Sequence, residues 1–145
     1  GGIRSSTALK DPHSKYITID NDFLEIPGCS KVITDTHFSE RNREGRLLAF
    51  MYKTQHLFSL KELYGIGIDE QTSLSIFNTG QVMAQGNGNV YVYRSHQMVQ
   101  SNSLKGLNYF DIKKLSLTKN ILLKDIQSLD FSFSKNISVV NGEIK

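Results

Sequence analysis

Between Lys31 and Glu70 the apolar residues change period twice, and that alternation limits what the chain can fold into. Lys31-Val32-Ile33-Thr34-Asp35 is short, β-branched and ends in a carboxylate, the pattern of a buried strand. Arg46, Leu47, Phe50, Met51 and Thr54 then recur at helical spacing, which predicts a helix from about Asn42 to Gln55. Tyr64-Gly65-Ile66-Gly67-Ile68-Asp69-Glu70 returns to strand character, with two glycines inside it and two carboxylates at its exit. Glycines inside a strand mark close approach by a neighbour more often than a ligand loop, and neither GxGxxG nor GxxxxGK[ST] is present.

The alternation continues downstream. Thr72–Phe77, Gln81–Gln85 and Val90–Tyr93 read as strands separated by the turn signals Asn78-Thr79-Gly80 and Gly86-Asn87-Gly88-Asn89, so 64–93 is expected to be a small β-meander. Tyr109–Leu117, Ile121–Lys124 and Phe131–Val140 are weaker strand candidates. Upstream, residues 1–15 read as a polar loop and Tyr16–Ile19 as a short strand, broken at Asp20-Asn21-Asp22 and followed by a turn at Ile26-Pro27-Gly28. Residues 1–15 and 125–145 are the stretches expected to be poorly ordered within one domain spanning 1–145.

Composition removes several function classes. Seventeen basic against 14 acidic residues leave a net charge of +3, too small and too dispersed to predict a nucleic-acid partner. No apolar run approaches the ~20 residues a membrane span needs, and no membrane partner is expected. Cys29 is the only cysteine, so no intrachain disulfide or CxxC metal site is available, and it reads as a small apolar residue. His13, His37, His56 and His96 lack ligand spacing, and no metal, nucleotide, flavin or other cofactor is expected. The start has no initiator Met and no apolar stretch resembling a signal peptide. That start reads as a fragment and leaves the compartment open, with a slight lean to the cytoplasm.

The chemistry concentrates in Asp35-Thr36-His37-Phe38-Ser39-Glu40-Arg41-Asn42-Arg43-Glu44-Gly45-Arg46, where a strand ends and a helix begins. In α/β proteins sites gather at such strand exits. Each residue also has a plainer role. A lone His at a strand exit is more often structural than catalytic, Asp35 can cap the following helix, and scattered arginines are usually a solvated face. Three arginines beside one His favour a ligand, because Arg41 and Arg43 do not share a helical face and guanidinium groups suit carboxylates. They also oppose the helix macrodipole if they begin the helix. Glu70 is either a solvated turn residue or an acid that orients His37.

DTHFSERNREGRLLAF, then YGIGIDEQTSLSIF, then QGNGNVYVY resembles, in that order, the cyanophycinase family of serine peptidases. Those enzymes show D-x-H-F-x-x-R-x-R-x-G-R-L, then G-I-G-I-D-E-x-T-A, then G-x-G-x-V-x-V, so the likeness covers roughly residues 30–95. The resemblance implies an α/β class I glutamine amidotransferase-like (flavodoxin-like) sandwich, with a mostly parallel sheet and here a C-terminal β-meander. It implies hydrolysis of aspartyl or β-aspartyl peptide bonds by a Ser-His-Glu mechanism. His37 falls on the general base, Glu70 on its orienting acid, and Asp35, Thr36, Arg41, Arg43 and Arg46 on the substrate pocket. The implied partners are an acidic or β-aspartyl peptide, an N-terminal half carrying the G-T-S-A-G-A nucleophile elbow, and a second copy, since family members often dimerise. No such elbow occurs in this sequence: Ser5-Ser6-Thr7 has no strand before it and no elbow glycines. Thr36 stands where cyanophycin-degrading members commonly have Gln, and Thr72-Ser73 where the family has Thr-Ala. The chain by itself is therefore expected to be inactive. The alternatives are a catalytically dead relative that binds acidic peptides and a non-catalytic fragment.

Overall fold

The computed structural model describes residues 2–20, 31–100, 106–117 and 126–145, together with the backbone of 122–123. The turn at Ile26-Pro27-Gly28, Cys29 and most of Ile121–Lys124 lie outside the described residues. The elements run α1 (Ser5–Lys10), β1 (Val32–Thr36), α2 (Glu44–Phe58), β2 (Glu62–Ile68), β3 (Thr72–Ile76), β4 (Val82–Gly86), β5 (Val90–His96), β6 (Tyr109–Leu117), β7 (Leu122–Leu123), β8 (Lys135–Val140) and β9 (Glu143–Ile144).

The architecture corrects the expected fold class. The chain is 38% strand and 17% helix, and its main sheet is a curled six-stranded half-barrel, not a flavodoxin-like α/β sandwich. Its order is β1-β2-β5-β6-β8-β9, and only β1 and β2 run parallel. The reason lies in the connections. A parallel pair needs a long crossover, whereas an antiparallel pair can be joined by a short turn. Among the described residues α2 is the one helix long enough for that crossover, and it joins the one parallel pair.

The meander expected over 64–93 is also corrected. β2 pairs with β5 along its whole length, from Glu62 opposite His96 to Ile68 opposite Val90. The intervening β3–β4 hairpin leaves the main sheet and, with β7, forms a second sheet. Gln71, in the left-handed region at φ 54°, turns the chain out of β2, and its carbonyl accepts the Asn87 amide at 3.1 Å to close the hairpin base.

Three layers result. Helices α1 and α2 cover one face of the main sheet and the second sheet covers part of the other. Leu63 faces the helices, with Leu47, Leu48, Met51, Tyr93 and Ile112. Tyr64 and Ile66 face the second sheet, with Val82, Ala84, Val92 and Leu117. β2 is thus buried on both faces, which explains its nearly continuous apolar run. The two glycines hold the position expected of them. A Cβ on Gly65 would strike the Met51 side chain, and one on Gly67 would stand 2.6 Å from the Phe38 ring.

The ends differ from the sequence reading. Ser5–Lys10 is helical, with Ala8 and Leu9 buried, and Leu9 packs so close to Gly45 that a Cβ there would overlap it. Tyr16–Ile19 is not a strand: Ile17 is buried, but its carbonyl is taken by the Lys53 ammonium at 2.7 Å. Helix α2 runs on to Phe58 and is capped by Ser59 at φ 52°, which leaves a short loop before β2. Residues 131–134 turn before β8 begins at Lys135.

Candidate functional site

β1 and β2 end side by side, and the loop from His37 to Arg43 is fastened to the exit of β2 by three successive amides. Phe38 N donates to Ile68 O at 3.1 Å, Ser39 N to Asp69 Oδ1 at 3.0 Å, and Glu40 N to Glu70 Oε2 at 3.4 Å. The Phe38 ring lies over Gly67, 5.6 Å from the Tyr91 ring and 5.9 Å from that of Tyr93. One aromatic plug thus anchors a loop otherwise made of polar residues.

Asp69, which the sequence reading left without a role, is the buried clamp of this end. Its second oxygen accepts the Asn89 amide at 3.0 Å, and its own amide donates to Asn89 O at 3.1 Å. Burial alone would raise its carboxyl, but the hydrogen bonds from Ser39 and Asn89 outweigh that and hold it below the ordinary carboxylate range. The sequence signal was present in the pair of acids at the strand exit, of which only Glu70 was assigned.

His37 has a left-handed backbone (φ 50°), and its side chain is 49% exposed. Its Nδ1 lies 3.2 Å from Glu40 Oε2. The carboxylate on the ring is therefore Glu40, whereas Glu70 holds the Glu40 amide one step away. A proton on Nδ1 facing Glu40 would leave Nε2 as the acceptor nitrogen of this half-exposed ring.

Two of the three arginines between Arg41 and Arg46 share one carboxylate, and the third stands apart. Asp35 is almost fully buried and receives a fork from Arg46, whose Nε donates to Oδ2 at 2.7 Å and whose Nη2 donates to Oδ1. Arg43 Nη1 donates to the same Oδ1 at 3.2 Å and to the Thr36 carbonyl at 2.6 Å. Asp35 therefore does not cap the helix. Arg43 occupies the N-cap position of α2, and Glu44 begins it, so the first turn carries an acid as the macrodipole favours. Glu44 also accepts from Tyr93 OH at 2.8 Å and Lys114 Nζ at 2.6 Å. Arg41 precedes the helix and is exposed, and among the described residues its side chain makes no hydrogen bond or ion pair.

A cleft of about 520 Å³ opens between residues 2–6 and Arg41, Asn42, Arg43 and Arg46. Ser5 joins its walls: its hydroxyl donates to Asn42 O at 2.5 Å and accepts the Arg46 amide at 3.2 Å. Arg4, exposed and also lining the cleft, was not singled out from the sequence. The structure thus brings Asp35, Thr36, Arg43 and Arg46 into one network, places Arg41 at the cleft, and puts His37, Glu40 and Glu70 together at the strand exits. Among the described residues no three potential metal ligands converge, and no helix is long and apolar enough to cross a membrane. No model of a known protein family matches the chain, and no curated protein matches it.

Proposed function

We propose that this chain supplies the general base and the substrate-carboxylate site of a cyanophycinase-like serine peptidase acting on aspartyl or β-aspartyl peptide bonds. The observation that supports this best is His37 itself. It stands at a strand exit with Nδ1 on a carboxylate and, among the described residues, no partner on Nε2, on the same loop as an arginine-lined cleft.

In this reading Nε2 of His37 takes the proton from a serine hydroxyl as the Oγ–C bond forms. The same proton passes to the amine as the C–N bond breaks, and water then releases the acyl group by the reverse route. Glu40 stabilises the imidazolium, and Glu70 fixes Glu40 by its amide. The serine is assigned to the N-terminal half that the resemblance implies, because the sequence holds no G-x-S-x-G elbow.

The test is hydrolysis of β-aspartyl dipeptides and of β-aspartyl-arginine polymer by the protein expressed from its natural gene. His37→Ala should lower kcat by about 10⁶-fold. Glu40→Gln should cost more than Glu70→Gln if Glu40 is the orienting acid. Wild-type turnover in His37→Ala would overturn the assignment. Absence of turnover in the unmutated protein would leave the second reading, an inactive relative that binds acidic peptides, which the arginine cleft favours independently of any nucleophile.

A further inference from the structure

The acid that could receive a cationic side chain in this pocket is already occupied. Asp35 is 6% exposed, and both of its oxygens are held by Arg46, one of them also by Arg43. The cleft beside it is lined by four arginines, and none of the described residues lining it carries a carboxylate. Arg43 and Arg46 are neutralised in part by Asp35. Arg4 and Arg41, both exposed and both lining the cleft, make no ion pair among the described residues. A cleft with two uncompensated guanidinium groups attracts carboxylates and repels cations.

We infer that this cleft grips the free side-chain carboxylates of an unsubstituted aspartyl chain, through Arg4 and Arg41, and discriminates against a chain whose carboxylates carry arginine. Substitution converts each side-chain carboxylate to an amide and adds a guanidinium as well as a new carboxylate. The added guanidinium then enters a cleft that offers it no acid. The inference rests on the acidic-peptide part of the proposed function and not on hydrolysis. Arg4 is the residue it adds, from a segment outside the motifs that carry the family resemblance.

The test is fluorescence anisotropy with fluorescein-labelled hexa-aspartate and a β-aspartyl-arginine oligomer of equal length, titrated with the protein from its natural gene. Hexa-aspartate should bind at least about tenfold more tightly, and its affinity should fall as salt rises. Arg4→Gln and Arg41→Gln should each weaken it about tenfold. Both side chains are exposed and, among the described residues, unpaired, so neither change threatens the fold. Lys135→Gln, at the exposed start of β8, controls for general loss of charge and should leave binding unchanged. Equal binding of the two oligomers would overturn the inference, as would equal losses in all three variants. A protein that binds hexa-aspartate and hydrolyses nothing would refute the peptidase reading alone. One that cleaves the arginine-substituted polymer but does not bind hexa-aspartate would refute only the inference.

Discussion

Replacing Asp35 by Asn keeps the shape of the side chain and removes the charge that holds two guanidinium groups. The Asp35 side chain is 4% exposed, that of Arg46 10% and that of Arg43 16%. Arg46 lies on the buried face of α2, loses its bidentate partner and has little access to water. Arg43 keeps the Thr36 carbonyl and can turn towards the cleft, so its share of the loss is small. Breaking a buried pair from one side costs about 3–5 kcal/mol, and most of that falls on Arg46 here. Against a typical domain stability of about 5–15 kcal/mol, Asp35→Asn should bring the protein close to unfolding at 37 °C. Urea unfolding followed by circular dichroism at pH 7 measures the loss directly. Arg43→Gln should cost about 1–2 kcal/mol in the same assay. Asp35→Leu combined with Arg46→Met should recover most of what Asp35→Asn loses, because no buried charge is then left alone. A loss below about 1 kcal/mol for Asp35→Asn would mean that the pair behaves as a solvated surface bridge, and the reasoning would fail.

Two further changes probe the loop that presents His37. Gly67→Ala sets a Cβ 2.6 Å from the Phe38 ring and should cost about 1–3 kcal/mol by thermal melting, with a shift in the His37 ring resonances. An unchanged melting temperature would show that Phe38 moves freely. Asp69 has a carboxyl held below its ordinary value of 3.8, so its stabilisation is complete above that value and is lost as pH falls through the lower folded one. Asp69→Asn should therefore flatten the decline of stability below about pH 5 and loosen the Ser39 and Asn89 amides to hydrogen exchange. A variant as pH-sensitive as the wild type would place the acid limb on other carboxylates.

Much of the local structure was legible because its causes are local. The β-branched run of β1, the 3.6-residue spacing of α2 and the alternation of β3, β4 and β5 each reflect which neighbours share a face. The turn residues at 78–80 and 86–89 mark their own breaks. α1 was not legible, since six residues with two buried side chains carry too little pattern, and Leu9 meeting Gly45 is a contact across 36 positions. Tyr16–Ile19 misled for the opposite reason. Its alternation is real, but Lys53 takes the carbonyls of Ser14 and Ile17 where a strand would use a neighbour.

The sequence by itself determined the order of strand, helix and strand, the concentration of charge between Asp35 and Arg46, and the two glycines that let Met51 and Phe38 lie against β2. Tertiary structure alone decided that β2 pairs with β5 rather than β3, and hence that the main sheet is almost wholly antiparallel. It also decided that Glu40 rather than Glu70 meets His37, and that Arg4 and Arg41 line one cleft. Periodicity reports which face a side chain takes, and it does not report which distant strand or charge will occupy the space opposite.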